Sequence, residues 1–356
     1  MLACVVGVSV LAWPKIKGPL RQNSFVKVFG FLLTVLLLVG LFCYRPNSAK
    51  SRLLIWRVTA DMIIDKPLFG FGVGQFDDNY QLYQAEYFKN HPDSNYVMVA
   101  DNAGYVYNEF LQILAEQGLV GGILILLLSF SLFRKSDKYV KSLLASLLVF
   151  SMFTYPSKVN GLFVLFPILF GIADNNKEQM KDLQRKFFCT FLIVIVSLIC
   201  VEDFKFYKRL KEVTLNSYTE PEQTLNFYTE NFDRIKNYMD YNIFFSSLLE
   251  RNAAEIEEEI IRTIIPTSES WCNIGDYYKK LGEYDKAVGC YKAASYMVPT
   301  RVIPNYKIWR HYIEKGERHN ADEYAKKILT QPIKVENTVT LSIKREVMNS
   351  DGYIGN

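Results

Sequence analysis

The sequence predicts an all-α protein, in which a polytopic transmembrane helix bundle is followed by an α-helical repeat domain. Half of the residues are hydrophobic, and they concentrate in nearly uncharged runs before residue 203. After that point the chain is polar and charged, and small and aromatic residues recur there at the spacing of paired helices. These observations predict a transmembrane domain over 1–203 and a polar helical region over 204–356.

Six apolar runs form the predicted transmembrane domain. They lie near residues 1–13, 26–44, 117–133, 140–156, 160–174 and 187–202. A helix that crosses a bilayer needs about 20 largely apolar residues, and the runs near 26–44, 117–133 and 187–202 meet or approach that length. The alternative is a set of buried core helices in a soluble protein. The first run lacks a basic flank and a cleavage site, so we do not interpret it as a signal peptide. Because the chain starts inside an apolar segment, we expect it to be an incomplete version of a larger membrane protein with further helices upstream.

Basic residues between the runs predict the orientation of the chain. Lysine and arginine cluster before the run at 26–44, after the run at 117–133 and before the run at 187–202. These three loops share one side if all runs cross the membrane, and the positive-inside rule makes that side cytoplasmic. The interval 44–116 and the polar region then face outward. The net charge of +4 reflects this topology, and we predict a lipid bilayer but no nucleic acid as partner.

The polar region contains a repeat that begins near Trp271. The residues that follow Trp271 match the tetratricopeptide pattern of about 34 residues. They are Gly275, Tyr278, Ala287, Tyr291, Ala294 and Pro299. A weaker copy ends at Pro332, so we predict repeats over 267–333, or else unrelated helical hairpins. A helical connector or degenerate repeat is expected over 204–266, and an unstructured tail over 334–356. Repeats of this kind offer a concave surface to a protein partner.

The polar interval 44–116 is the most informative part of the chain, because long ordered loops usually carry function. Arg52 lies just beyond a predicted membrane helix, and Trp56 lies one helical turn further on. A guanidinium at this depth can bind the phosphate of a lipid-linked substrate bidentately. Alternatively, Arg52 anchors the end of a helix to lipid headgroups.

Two other segments of this interval predict local structure. Residues 70–74 read Gly-Phe-Gly-Val-Gly without a surrounding βαβ pattern, which indicates a tight turn close to substrate or to a neighbouring helix. Residues 107–118 predict a helix that leads into the next apolar run, with Gln112 and Glu116 on its polar surface. Glu109 can act as a general base if it is desolvated near a sugar hydroxyl, and is otherwise solvated or capped. Metal-ligand spacings do not occur, so we predict no metal and no cofactor.

Three motifs follow one another in this interval. Arg52 and Trp56 come first, then Pro67-Leu68-Phe69-Gly70-Phe71-Gly72, and then Asn108-Glu109-Phe110-Leu111 with Gly118-Leu119-Val120-Gly121. This order resembles the O-antigen ligase and polymerase superfamily of bacterial multi-spanning membrane glycosyltransferases, some of which carry tetratricopeptide repeats. The resemblance covers roughly residues 51–122. One position departs from the family, because Tyr107 stands where the family has histidine.

The resemblance implies roles for the matching residues. Arg52, Tyr107 and Glu109 would be catalytic, with Arg52 on the diphosphate of the substrate and the other two near the acceptor. The implied substrate-binding residues are Trp56, Gly70, Gly72, Gly74 and Asn108. A phenol is a poor base near neutral pH, so Tyr107 would donate a hydrogen bond and Glu109 would be the base. The alternatives are a different chemistry or an inactive copy.

The resemblance therefore implies a membrane glycosyltransferase. It would act on the outer face of the bacterial cytoplasmic membrane and transfer glycan from a polyprenyl diphosphate carrier to a sugar, lipid A-core or protein hydroxyl. The alternative is a non-enzymatic, membrane-anchored tetratricopeptide scaffold for envelope proteins. A transporter is disfavoured, because the charged residues of the apolar runs lie only at or next to their ends, and none lies in the interior where a relay would form.

Overall fold

The computed structural model describes residues 40, 44–136, 138–156, 201–235, 244–246, 248, 264 and 266–350. All regular elements within these ranges are helices, and none of the described residues forms a strand. This confirms the all-α prediction. The described residues up to 156 and those from 266 to 350 form one compact unit, and those from 201 to 264 belong to a second.

The interval 44–116 is largely helical rather than an extended loop. Helix α1 spans Pro46–Asp65, α2 spans Phe76–Asn90, and a 3-10 turn follows at Val97–Val99. Proline in the first turn of α1 favours its start, because the missing N–H would have no partner there. The two helices pack through residues at helical spacing, which are Leu54, Ile55, Val58, Met62, Phe76, Tyr80 and Phe88.

Helices α3, Glu109–Lys135, and α4, Lys138–Ser151, form an apolar hairpin. The stretch Glu109–Arg134 is long and apolar enough to cross a membrane, and only 22% of its apolar window is buried. It is the one such helix in the described ranges. With 14 residues, α4 falls short of the roughly 20 that a span needs, and its helix ends before the predicted limit of 156.

The predicted spans near 1–13, 26–44, 160–174 and 187–202 lie outside the described residues, apart from a few positions at their ends. The polytopic bundle therefore stays a prediction.

The second unit contains the predicted connector. Residues 201–215 are helical, and α5, Pro221–Glu230, and the short α6, Phe232–Ile235, follow. An ion pair of 2.9 Å joins Arg234 to Asp203 within this unit. The earlier repeat expected to end at Pro266 falls mostly on residues that the structure does not describe.

The repeat region consists of two helical hairpins. They are formed by α7, Ser268–Lys280, with α8, Tyr284–Met297, and by α9, Val302–Lys315, with α10, Arg318–Thr330. A Cβ on Gly275 would lie 2.4 Å from the ring of Tyr291, so only glycine leaves room for that ring. This close approach is the physical reason for the glycine of the repeat pattern.

A final helix, α11, spans Thr338–Asn349, where we expected an unstructured tail. That expectation is wrong. Asn337 caps the helix, because its side chain accepts a hydrogen bond from the Thr340 N–H at 2.8 Å. Ile343 and Val347 are buried against the second hairpin. These two positions lie one helical turn apart, which was too little periodicity to identify the helix from sequence.

Candidate functional site

The structure brings Arg52 of α1 against Tyr107. The guanidinium carbon lies 5.2 Å from the centre of the Tyr107 ring, which is a cation–π contact. A nitrogen of the same guanidinium donates a hydrogen bond of 3.0 Å to the backbone carbonyl of Phe153. Arg52 is half-buried, and the carboxylates of the described ranges form no ion pair with it. Since a guanidinium carries several N–H donors, Arg52 retains donors for an anion.

Tyrosine rings surround this contact. Tyr155 stacks on Tyr105 with ring centres 4.4 Å apart, and it meets Tyr107 edge-on at 5.4 Å. Burial raises the pKa of Tyr105, and the charge of Asp77 and the neighbouring Tyr155 raise it further. The Tyr105 hydroxyl therefore stays protonated near neutral pH. The sequence did not predict that Phe153 and Tyr155 contribute here. Phe153 contributes only its backbone carbonyl, and Tyr155 is a single aromatic residue after an apolar run, so neither forms a recognisable sequence pattern.

Tyr107 has an unusual backbone conformation. Its φ of 56° is positive, and no other non-glycine residue in the described ranges shares this feature. A left-handed conformation costs an L-residue about 1–2 kcal/mol. Hydrogen bonds hold the chain on either side, since the Trp56 indole N–H donates to the Val106 carbonyl at 2.9 Å and Asn108 caps α3. Histidine is enriched in this conformation, so the residue that the family has here would fit the same backbone.

Asn108 and Glu109 form the start of α3. The amide oxygen of Asn108 accepts hydrogen bonds from the backbone N–H groups of Phe110 at 3.0 Å and Leu111 at 3.2 Å. Glu109 is half-buried in the first turn, where the helix dipole favours a carboxylate. The structure thus gives Asn108 a capping role, beside the substrate-binding role that the resemblance implies.

Two substitutions at Asn108 separate these roles. Asn108→Ala is expected to lower the free energy of unfolding by about 1 kcal/mol, because two N–H groups lose their acceptor. Asn108→Asp keeps the acceptor and is expected to retain the stability of the wild type. Thermal unfolding in detergent micelles measures both. If the Asn108 amide N–H also binds substrate, the Asn108→Asp protein will lose the glycan transfer that the resemblance implies, while it keeps its melting temperature. Unchanged glycan transfer in Asn108→Asp would leave capping of α3 as the only role of Asn108.

The glycine-rich turn packs into a kink of α3. We call the two segments, 67–74 and 115–120, the glycine interlock. Gly118 has φ 65° and ψ −165°, a conformation outside the helical region that interrupts α3. Four backbone hydrogen bonds close the interlock: Phe71 N–H to Ala115 O at 2.9 Å, Gly72 N–H to Glu116 O at 2.8 Å, Leu119 N–H to Pro67 O at 2.8 Å, and Val120 N–H to Leu68 O at 3.2 Å.

Gly70 and Gly118 allow the two backbones of the interlock to touch. A Cβ on Gly70 would lie 2.5 Å from the backbone of Glu116, and one on Gly118 would lie 2.3 Å from Leu68. For Gly70, the close neighbour is therefore the helix and not an open cleft. Gly74 donates its backbone N–H to the Glu116 carboxylate at 2.9 Å. Substrate contact by Gly70, Gly72 or Gly74 stays a prediction.

Gln112 and Glu116 are buried, with exposed fractions of 3% and 6%. The expectation that they lie on a polar surface is wrong. The Gln112 amide donates to one oxygen of the Glu116 carboxylate at 3.0 Å, and the Gly74 N–H donates to the other. A buried carboxylate is tolerated when hydrogen bonds replace its hydration, so the turn at 70–74 makes this burial feasible.

A cavity of about 210 Å³ lies beside Tyr107. Its polar lining comes from Ser51, Gln84, Asp101, Asn102 and Tyr107, and neither lysine nor arginine lines it. Amide and hydroxyl groups of this kind suit uncharged hydroxyl groups better than phosphate. The described ranges contain no cluster of three metal-ligating side chains. The absence of metal and cofactor from the active protein stays a prediction.

Comparison with known families supports the sequence interpretation. A sequence model of the O-antigen ligase family matches residues 1–126, and a tetratricopeptide repeat model matches residues 268–299. Searches of curated proteins and of solved structures find no match. The suspected architecture is confirmed: a segment similar to the O-antigen ligase family precedes a tetratricopeptide repeat.

Proposed function

We propose that the chain is a membrane glycosyltransferase of the O-antigen ligase or polymerase type. It transfers glycan from a polyprenyl diphosphate carrier to a sugar, lipid A-core or protein hydroxyl, at the outer face of the bacterial cytoplasmic membrane. The match of residues 1–126 to the O-antigen ligase family supports the reaction class.

Arg52 is the observation that carries this proposal. Its guanidinium is half-buried between the Tyr107 ring and the Phe153 carbonyl, and it lacks an acidic partner within the described ranges. A partly desolvated cation without a counter-ion is costly, and it interacts strongly with an arriving anion. A diphosphate supplies that anion, and the planar fork of arginine suits its oxygen atoms.

The proposed reaction is a displacement at the anomeric carbon of the donor sugar. The acceptor hydroxyl oxygen forms a bond to that carbon, while the bond from the carbon to the diphosphate oxygen breaks. Polyprenyl diphosphate leaves with the bonding electrons, and Arg52 stabilises the negative charge that develops on it. The hydroxyl proton passes to a base, for which Glu109 is the candidate. Tyr107 donates a hydrogen bond to the acceptor or the phosphate.

The apolar hairpin supports a site at a membrane surface. The outer side chains of α3 are exposed along much of its length, including Leu124, Leu127 and Phe130. A large exposed apolar face on a long helix fits contact with lipid. The chain turns back through α4, and residues just after α4 contact Arg52 and Tyr107. Both ends of the hairpin thus meet at the site.

The test is a glycan profile of the source cell. It compares a gene deletion with strains that carry the wild-type gene or Arg52→Ala. We expect that capped or polymerised surface glycan is lost in the deletion and in Arg52→Ala, and restored by the wild type. Normal glycan in all strains would overturn the proposal.

A cleft in the repeat region favours a second candidate function, a scaffold for envelope proteins. The cleft has a volume of about 400 Å³ and is lined by α7, α8, α9 and α11, with Tyr291, Lys307 and Arg310 among its residues. Mixed charge in a concave repeat surface suits a peptide segment of a partner protein.

Arg310→Glu tests the scaffold. If the scaffold is the function, reversing this charge in the cleft is expected to reproduce the phenotype of the deletion, whereas Arg52→Ala behaves as wild type. Arg318→Glu is the control, because Arg318 is exposed on α10 outside the cleft. The glycosyltransferase proposal predicts the reverse ranking of Arg310→Glu and Arg52→Ala. Glycan profiles of the three variants distinguish the two functions.

A further inference from the structure

The first hairpin of the repeats packs directly on α2 of the interval 44–116. Met297 and Val298 at the end of α8 are buried against Ala85 of α2, and Trp271 and Tyr296 lie alongside. The exposed fractions of the first three are 0%, 2% and 8%. This closely packed apolar contact joins the repeats to the region that carries Arg52.

Gln84 extends this contact to the cavity beside Tyr107. Its side chain is 1% exposed, and its amide nitrogen donates to the Met297 carbonyl at 2.5 Å and to the Asp101 carbonyl at 3.2 Å. Gln81 donates to the same Asp101 carbonyl at 3.3 Å. Asp101 and Asn102 line the cavity, so Gln84 links its wall to the end of α8.

Two cations contact the same segment at its exposed side, Arg301 from the repeat region and Lys334 from just after it. Lys334 Nζ lies 2.8 Å from one Asp101 carboxylate oxygen, and Arg301 Nη2 lies 3.7 Å from the other. Burial acts to raise the pKa of Asp101, but the Lys334 and Asn102 hydrogen bonds and the charges of Lys334 and Arg301 outweigh it and lower that pKa. The carboxylate is therefore ionised at neutral pH, and both ion pairs are present.

We propose that Arg301 and Lys334 are positioning residues of the candidate active site. Through Asp101, they fix the segment 101–103 that forms the cavity wall next to Tyr107. The tetratricopeptide hairpins are then a structural part of the site rather than an appended module. The role of Arg301 and Lys334 in glycan transfer rests on the proposed glycosyltransferase function, whereas their stabilisation of the cavity wall does not.

The contacts differ in strength, and this difference indicates which of them dock the repeats and which position the cavity wall. The Asp101, Arg301 and Lys334 side chains are 55%, 35% and 40% exposed, and exposed ion pairs stabilise a fold weakly. The buried apolar contact and the Gln84 hydrogen bonds therefore dock the repeats. Reversal of both cations repels the Asp101 carboxylate and loosens the cavity wall, while the repeats stay in place.

The test uses full-length protein in detergent micelles and hydrogen–deuterium exchange. In Arg301→Glu/Lys334→Glu, we expect the backbone amides of Val99 and Ala100 to exchange about tenfold faster, with unchanged exchange in α7 and α8. These two amides directly precede the cavity wall and are hydrogen-bonded to the carbonyl of Tyr96. Adding Asp101→Lys restores opposite charges and is expected to restore protection, and Arg301→Lys alone is expected to retain it. Lys286→Glu is the control, because it breaks a surface ion pair of 2.6 Å with Glu283 within the repeats.

The same variants are then compared by glycan profile with Arg52→Ala. Faster exchange with reduced glycan, both rescued by Asp101→Lys, supports the proposal. Unchanged exchange at Val99 and Ala100 overturns it, whatever the glycan shows. Faster exchange with normal glycan, in cells where Arg52→Ala loses glycan, refutes the positioning role and leaves the glycosyltransferase standing. Normal glycan in Arg52→Ala overturns the proposed function and with it any role of the two cations in transfer.

Discussion

Gly118→Ala is expected to abolish the folded state of the interval that carries the site. A Cβ at this position would lie 2.3 Å from the carbonyl carbon and oxygen of Leu68, and neither backbone atom can rotate away. With φ 65° and ψ −165°, the backbone also lies in a region that costs an L-residue about 1–3 kcal/mol. Relief of the clash separates the segments and breaks the hydrogen bonds from Leu119 and Val120. We expect a total loss of about 4 kcal/mol or more.

Thermal unfolding of purified variants in detergent measures this loss, and two other glycines serve as controls. Gly289→Ala lies within α8 with no atom near its Cβ, so it is expected to stabilise the protein by up to about 1 kcal/mol. Gly74→Ala has open space but a φ of 77°, so we expect a loss of about 1 kcal/mol. A melting temperature of Gly118→Ala equal to that of wild type would show that the interlock is not closely packed in the protein.

Arg52→Ala is expected to reduce glycan transfer by at least about a hundredfold, the effect of removing one preorganised group that stabilises developing charge. Arg52→Lys keeps the charge but loses the planar fork and most of the contact with the Tyr107 ring. We therefore expect it to recover only part of the activity. Quantitative glycan analysis of complemented cells measures both variants, with the amount of membrane protein determined in parallel.

Arg57→Ala is the matched control for Arg52. Arg57 lies little more than one turn further along α1, its side chain is 63% exposed, and it pairs with Asp61 at 4.0 Å. Loss of this exposed pair is expected to leave transfer and stability nearly unchanged. Equal glycan in Arg52→Ala, Arg57→Ala and wild type, at equal protein levels, would remove Arg52 from the mechanism.

Local spacing predicted the repeats well but missed other helices. The pattern from Trp271 to Pro299 predicted the first hairpin, because its small residues allow two helices to approach closely, as Gly275 leaves room for the ring of Tyr291. Helices α1 and α2 were not identified from the sequence, because charged residues interrupt the apolar spacing of these helices and the whole interval 44–116 therefore resembles a polar loop. In α11 the buried positions Ile343 and Val347 were too few to identify a helix.

Motifs predicted which residues of the candidate site lie together, whereas the contributions of distant backbone atoms were not predictable. The resemblance predicted Arg52 and Tyr107, and the structure places them in contact. The Phe153 carbonyl on Arg52 and the Met297 carbonyl on Gln84 come from positions far away in sequence. Such contacts depend on how whole elements pack. Because every residue carries a backbone carbonyl, the sequence does not indicate which carbonyl will contact a given side chain.

The glycine interlock has a consequence for protein engineering. Its two halves, 67–74 and 115–120, contact each other by backbone atoms, with almost no tolerance for displacement. A recombinant hybrid that takes one half from this chain and the other from a relative would combine two backbone segments whose shapes need not be complementary. Crossover points for such hybrids therefore belong before residue 67 and after residue 120, so that both halves come from one parent.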